Sequence, residues 1–191
     1  MPKTRLEAFS DGVLAIIITI MVLELKIPHG EDLAALKPVL PAFLTYVLSF
    51  IYLGIYWSNH HHLLQATEQV NGGVLWANLH LLFWLSLFPS VTAWVGETHF
   101  APLPVAMYGV VMLLAAIAYF ILTRVLLSLH SKGSKLAVAL GSDFKGKISL
   151  AIYAIAIALA FVNSFLGGAL YVLVAVIWLV PDRRIERTLA R

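Results

Sequence analysis

The sequence predicts an all-α polytopic membrane protein with six transmembrane helices, organised as one domain over residues 1–191. Hydrophobic residues make up 61% of the chain and charged residues only 12%, against about 25% charged residues in an average soluble domain. Long apolar runs such as residues 151–162 lack the in–out alternation of a barrel strand. Spans of about 20 residues with short loops fit the length six times and leave no room for a soluble domain.

The first predicted span covers about residues 7–27 and follows directly from the N-terminus. Its central part, Gly12–Leu23, contains Thr19 as its one polar side chain. Pro28 is expected to stop the helix. Because no small-residue cleavage site follows Met1, we expect a retained span and not a removed signal peptide.

Five further apolar runs follow, separated by prolines, glycines and charged loops. Gly167-Gly168 is predicted as the turn before the sixth span, which Pro181 ends. Polar side chains within spans concentrate in the first three spans, so permeation or chemistry is expected there. Spans four to six are expected to provide packing and a lipid-facing surface. The predicted spans are about 41–63, 74–95, 105–129, 148–165 and 169–180.

The basic residues indicate the orientation in the membrane. Of the 13 Lys and Arg, 11 lie before span one, between spans four and five, or after span six, which share one side of a six-span protein. Cytoplasmic loops are enriched in Lys and Arg. The sequence therefore predicts a multi-pass protein of the plasma (inner) membrane with both termini in the cytosol. The 11 residues are Lys3, Arg5, Arg124, Lys132, Lys135, Lys145, Lys147, Arg183, Arg184, Arg187 and Arg191.

An apolar stripe follows one face of the first span. At 100° per residue these side chains share that face, whereas Asp11 points away from it. Apolar stripes at helical period are usually packing surfaces, and the spacing by itself favours that interpretation. The alternative is a narrow pore, because hydrophobic rings gate by dewetting. The stripe consists of Phe9, Gly12, Val13, Ile16, Thr19, Ile20 and Leu23.

Asp11 is an ionisable residue near the start of a membrane span, where a carboxylate requires a partner or water. We expect it to face the interior of the helix bundle and to accept hydrogen bonds from groups at the same depth. A structural network is favoured over a proton relay, because indole, amide and imidazole donors satisfy a carboxylate. The candidate partners are His60, His61, His62, Trp76, Asn78 and His80.

Several classes of site are not expected. The chain has no cysteine, which excludes disulfides and thiolate ligands. Three adjacent histidines on a helix point about 100° apart, so a metal site is not expected. No catalytic or phosphate-binding motif is present, and we expect no enzyme, cofactor or nucleic-acid partner. Glu24 at the outer end of span one favours a solvated helix end over an acidic ring.

The pattern Arg5-x-x-x-Phe9-Ser10-Asp11, opening an apolar first helix, resembles the signature of the lysosomal potassium channel family (transmembrane protein 175). The resemblance extends to Tyr56-Trp57-x-x-His60-His61, to Trp76-x-Asn78-Leu79 and to Leu85-x-Leu87-x-Pro89. The single-repeat length is similar to that of the prokaryotic branch. The second half of the chain matches only in helix count and hydrophobicity.

The resemblance implies six-span subunits that assemble as a homotetramer, with the first helix lining a central pore. Such channels lack a carbonyl filter, and their constrictions are rings of aliphatic side chains, which fall here on Ile16, Ile20 and Leu23, with Thr19 beside them. It also implies a network that packs the signature residues against neighbouring helices. The residues of that network are Arg5, Phe9, Ser10, Asp11, Trp76, Asn78 and either His60 or His61.

From these observations we expect a potassium-preferring cation channel that conducts K+ and other monovalent cations through the bilayer, with Glu24 at the outer mouth. The alternative is a proton-coupled secondary transporter that uses Asp11 and the span-two histidines as a relay. Such a transporter is expected to show inverted repeats or broken spans. The sequence gives no sign of either.

Overall fold

In the computed structural model, residues 3–131, 134, 136–137 and 144–179 are described, and their regular structure is entirely helical. The predicted all-α fold is confirmed. Pro181, Lys132, Lys135 and the arginines of residues 183–191 lie outside the described residues. The elements are α1 (Lys3–Leu23), a 3-10 helix (Leu33–Val39), α2 (Leu40–Gln65), α3 (Gly72–Ser86), α4 (Phe88–Glu97), α5 (Pro102–Ser128), α6 (Phe144–Ala160) and α7 (Ser164–Leu179).

Helices α3 and α4 form one broken helix in place of the continuous third span that we predicted. Only Leu87 separates them, and Pro89 lies in the first turn of α4. Proline has no N–H to continue the hydrogen-bond ladder, but it is tolerated in the first turn of a helix. With α3 and α4 counted as one, the described residues contain six α-helices, as predicted.

Four of these helices are long and apolar enough to cross a membrane among the described residues. They are α1, the continuous stretch Leu33–Gln65, the broken helix Gly72–Glu97, and α5. Within the described residues, α6 and α7 cover 17 and 16 residues, fewer than the roughly 20 residues of a typical membrane span.

Side chains at both ends hold α1 antiparallel to α2 and parallel to the broken helix formed by α3 and α4. At one end Lys3 Nζ donates to the carbonyl of Gln65 at 3.4 Å and to that of Thr67 at 3.2 Å, just past α2. At the other end Lys26 Nζ lies 2.7 Å from Glu97 Oε1 at the end of α4. The N-terminus of α1 and the end of α2 therefore lie at one end of the bundle.

Helix α1 begins and ends about four residues earlier than predicted. It starts at Lys3 and ends at Leu23. The residue before a proline disfavours helical backbone, and Pro28 places that restriction on Ile27. After the turn, the Asp32 carboxylate accepts the Ala35 N–H at 3.1 Å and caps the 3-10 helix.

The turn between the last two helices was predicted at the wrong residues. It lies just before Ser164, where Asn163 Oδ1 accepts the N–H groups of Phe165 and Leu166 and caps α7. The predicted turn residue Gly167 lies inside α7. A Cβ there would lie 3.0 Å from the Ala156 carbonyl oxygen. The glycine is thus required for close packing of α7 on α6, and asparagine makes the turn.

Helix α5 forms the centre of the bundle, with α3, α4, α6 and α7 packed around it. Helix α1 contacts α2, α3 and α4, so it lies at one side of the subunit. In the core, the Ser49 hydroxyl joins α2 to α4 and α5 through hydrogen bonds to Thr92 at 2.7 Å and Tyr108 at 2.9 Å. Such satisfied polar groups join helices in a membrane, where apolar burial gives little driving force.

Gly96 marks the closest approach of α4 to α2. A Cβ at this position would lie 2.5 Å from Ala42 Cα, a backbone atom that cannot move without moving α2. We expect Gly96→Ala to separate the two helices and to destabilise the subunit by about 1–3 kcal/mol, as overpacking does. Thermal unfolding of the purified protein in detergent would measure the loss.

Gly54→Ala on α2 is the matched control, because nothing lies within 4 Å of a Cβ there. Alanine is the better helix former. We therefore expect this control to unfold at the wild-type temperature or above it. Equal losses in the two variants would contradict a packing role specific to Gly96.

Candidate functional site

One face of α1 has no partner within the subunit. Leu6, Ser10, Leu14, Ile17 and Met21 are buried against the other helices. The predicted stripe lies on a different side of the same helix and is exposed, apart from Val13, which is half-buried. Leu23 is 81% exposed, Ile16 58% and Ile20 41%. The exposed stripe consists of Phe9, Gly12, Ile16, Thr19, Ile20 and Leu23.

Thr19 places the one hydroxyl on this exposed stripe. Its Oγ1 donates to the backbone carbonyls of Ile16 at 2.9 Å and Ala15 at 3.1 Å. A hydroxyl has one proton and two acceptor lone pairs. The proton is directed to the helix itself, so the lone pairs remain for a group on the exposed side. Glu24 is also exposed, one residue beyond the end of α1.

A buried hydrogen-bond chain joins α1, α2 and α3. Asn78 Nδ2 donates to Ser10 Oγ at 3.0 Å, and Asn78 Oδ1 lies 2.7 Å from His60 Nε2. Ser10 Oγ in turn donates to the Leu6 carbonyl at 2.9 Å. Ser10 and Asn78 are fully buried and His60 nearly so.

The direction of this chain follows from its donors. Because the Asn78 amide nitrogen donates to Ser10, its oxygen faces His60 and accepts from Nε2–H. The Ser10 hydroxyl, the Asn78 amide and His60 Nε2 then each have a hydrogen-bond partner, as burial requires. The chain fixes the rotation of α1 about its own axis, because turning the helix would separate Ser10 from Asn78. Among the three adjacent histidines, His60 is thus the one that joins Asn78.

Asp11 lies on the outside of the subunit, which corrects our expectation that it faces the interior. It is exposed, and its Oδ1 accepts a hydrogen bond from Trp57 Nε1 at 3.0 Å. The His61 ring stacks on Trp57 with centroids 6.0 Å apart. Asp11 makes no hydrogen bond with His60, Asn78 or another histidine among the described residues.

The other residues expected in the network join neither the buried hydrogen-bond chain nor the Asp11–Trp57 pair within one subunit. Arg5 is exposed and forms no ion pair with a described residue. Phe9 is half exposed on the apolar stripe, and Trp76 is 76% exposed. His80 accepts the Trp84 indole N–H at 2.9 Å on the outer side of α3. His62 Nδ1 is buried without a hydrogen-bond partner among the described residues.

Trp57 is the residue of this site that the sequence analysis did not assign. Its spacing carried a usable signal, because Trp57 and His61 are four residues apart and share one helix face, whereas His60 points elsewhere. That spacing separates the exposed pair from the buried histidine. Which of these two α2 faces contacts α1 cannot be read from the spacing.

We expect Asp11→Ala and Trp57→Phe to impair stability and assembly more than they alter ion preference. Both changes remove the charge-assisted hydrogen bond, which contributes about 1.5–3 kcal/mol where it is shielded from water. Trp57→Phe also leaves the carboxylate without its donor. Size-exclusion chromatography and thermal unfolding in detergent, together with reversal potentials in bilayers, would separate the two effects. A well-folded Asp11→Ala protein with altered selectivity would show that the carboxylate acts directly on the ions.

Comparison with known proteins adds independent findings. The family model described as endosomal/lysosomal potassium channel TMEM175 matches residues 5–89, the part that holds the exposed stripe and the buried chain. A protein of Chryseobacterium sp. (strain P1-3) named potassium channel is 58% identical over 189 residues, which cover 99% of this chain and 98% of that protein. The human endosomal/lysosomal proton channel TMEM175 is 39% identical over 75 residues, 33% of this chain and 15% of its own.

The fold is also similar to a solved structure. The crystal structure of a lysosomal potassium-selective channel TMEM175 homolog from Chamaesiphon minutus superposes with a TM-score of 0.78 at 26% sequence identity. The match covers 93% of this chain and 96% of that one. The likeness therefore extends through the second half of the chain, where the sequence resemblance had been limited to helix count and hydrophobicity.

Proposed function

The chain belongs to the TMEM175 family of potassium channels, and on this basis we propose that it forms a homotetrameric, potassium-preferring cation channel. Four copies of α1 surround the conduction axis and turn their exposed stripes toward it. Ile16, Ile20 and Leu23 form successive aliphatic rings that constrict the pathway. K+ passes along this axis, and other monovalent cations pass less readily.

The observation that carries this proposal is the unpartnered apolar face of α1. The helix is held at both ends and buried along another side, yet Ile16, Ile20 and Leu23 remain exposed in the subunit. Lipid alone could cover such a face. However, α1 has a third face, beside the stripe and the buried side, and this face carries Asp11. An ionisable side chain is costly to expose to hydrocarbon. A second subunit covers both features at once.

Thr19 supports weak coordination of a partly dehydrated cation. Its proton is committed to the α1 backbone, so four copies would offer oxygen lone pairs to the axis. Aliphatic rings supply no oxygen, and selectivity that rests on hydration and on one hydroxyl layer is modest. Glu24 lies at the outer mouth, where four carboxylates would attract cations.

The buried chain of Ser10, Asn78 and His60 contributes to this function by positioning α1. It sets the rotation of α1, and the apolar stripe therefore points in one direction. The orientation in the plasma membrane follows from the basic residues. The even number of helices supports an orientation with both termini in the cytosol.

Ion flux in liposomes tests the proposal. Purified protein is reconstituted, and K+, Na+ and proton flux is followed at imposed voltages and pH gradients. A channel gives conductive flux that follows the electrochemical gradient and favours K+. Saturable turnover coupled to a pH gradient would instead identify the proton-coupled transporter.

A further inference from the structure

A second amphipathic site lies at the outer end of the subunit, away from the α1 stripe. A cavity of about 550 Å³ opens between the end of α1, the 3-10 helix, the first turns of α2 and the last turns of α4. Cavities of about 300–1,000 Å³ are the usual size for small-molecule sites. All of its walls come from one subunit.

The floor of the cavity is apolar and lies within the bundle. Met21 of α1 and Pro89 of α4 are buried there. Phe43 and Tyr46 of α2 form an aromatic wall, with ring centroids 6.4 Å apart. Among the described residues, the Tyr46 hydroxyl has no hydrogen-bond partner. The floor thus offers apolar contact, two aromatic rings and one free hydroxyl.

The rim of the cavity carries an excess of negative charge. It contains Glu24, Lys26, Glu97 and His99. Lys26 and Glu97 form an ion pair at 2.7 Å, whereas Glu24 forms no ion pair with a described residue. One carboxylate is therefore left for a ligand, above aromatic rings that attract cations through their faces.

We propose that this cavity binds a small amphipathic ammonium ion, with its apolar body against Phe43 and Tyr46 and its charged group near Glu24. The unpaired Glu24 carboxylate would repel an anionic ligand. A hydrated metal cation would leave the apolar floor empty. The same chemistry is offered by a free organic amine and by the ethanolamine headgroup of a phospholipid.

The cavity shares wall residues with the outer end of α1, next to Leu23. An occupant would therefore press against the end of the helix to which we assign the constriction. The site itself does not depend on the channel proposal, and binding can be measured without ion flux.

Saturation-transfer NMR on the purified full-length protein in detergent tests the site, with benzylammonium as the probe and benzyl alcohol as its neutral counterpart. We expect benzylammonium to bind more tightly. Glu24→Gln should weaken benzylammonium about two- to fivefold, the range of an exposed ion pair. It should leave benzyl alcohol unchanged. Equal binding of the two probes, or no effect of Glu24→Gln, would overturn the assignment of an ammonium ligand.

A filled cavity provides the second test. Ala93 lines the cavity on α4, and Ala93→Phe should weaken both probes about tenfold or more by occupying the space. Ser90→Phe is the matched control, because Ser90 is exposed on the same helix and does not line the cavity. Unchanged binding in a folded Ala93→Phe protein, or equal losses in the two variants, would overturn the location. Glu24→Gln keeps the test decisive if Ala93→Phe does not fold.

Binding in lipid nanodiscs distinguishes the two natural sources of the ammonium group, a phospholipid headgroup and a free amine. If the occupant is a lipid headgroup, nanodiscs of phosphatidylethanolamine should weaken benzylammonium binding relative to nanodiscs of phosphatidylglycerol. Equal binding in the two would identify a free amine as the ligand. Both results support the site, whereas absence of specific benzylammonium binding in detergent and in both nanodiscs would refute it.

Discussion

Truncating the aliphatic side chains of the α1 stripe is expected to raise conductance and to reduce the preference for K+ over Na+. The relevant variants are Ile16→Ala and Leu23→Ala, which replace a ring of large side chains by a wider and more easily hydrated passage. If the barrier falls by about 1.4 kcal/mol, the rate rises about tenfold. Single-channel recording in planar bilayers measures both the conductance and the reversal potential.

Val22→Ala is the matched control for this experiment. Val22 is an exposed aliphatic residue of the same helix, but it lies outside the stripe and projects from the face that Asp11 occupies. The same loss of apolar volume at this position should leave conductance unchanged. Unchanged currents in both Ile16→Ala and Leu23→Ala, with protein that folds and assembles, would refute the pore assignment.

Replacing Asn78 is expected to cause the largest loss of stability. Asn78→Leu keeps the size of the side chain but removes the amide that hydrogen-bonds both the buried His60 ring and the buried Ser10 hydroxyl. An unsatisfied buried group costs about 1–3 kcal/mol. We expect a markedly lower unfolding temperature and loss of the assembled protein on size-exclusion chromatography.

Asn59→Leu serves as the control, because Asn59 Nδ2 donates to the carbonyl of Ile55 in its own helix at 2.8 Å. A double-mutant cycle with Ser10→Ala adds a direct test of the chain. Residues in one hydrogen-bond network couple by about 0.5–3 kcal/mol, whereas distant ones add. Additive losses for Ser10→Ala and Asn78→Leu would show that the contact does not hold α1 to α3.

The sequence by itself determined the class of fold and the side of α1 that is free. Low charge and long apolar runs require a bilayer. The number of runs predicts six helices, which the described residues contain when α3 and α4 are counted as one. The period of 3.6 residues collected Ile16, Ile20 and Leu23 on one stripe, and these side chains are exposed in the subunit. Both inferences depend on apolar residues that recur along the chain, and this recurrence is visible in the sequence itself.

Boundaries of helices were less predictable, because several residue types can end a helix. Pro89 breaks the third span from within the membrane, and Asn163 makes the turn that Gly167 was expected to make. Pro89 and Asn163 act on their own helices, whereas the placement of Gly167 depends on a partner in space. Gly167 is needed where α7 meets α6, a requirement that its place in the sequence does not reveal.

Only the tertiary structure decided how the polar residues of the first three helices are divided. Neighbours in sequence, Ser10 and Asp11, point about 100° apart on a helix, so one lies in the bundle with Asn78 and the other lies outside with Trp57. The sequence placed all of these groups at one depth but gave no rotation for any helix about its own axis. That rotation is set by packing between helices, because a hydrogen bond from Asn78 to Ser10 exists in only one relative orientation.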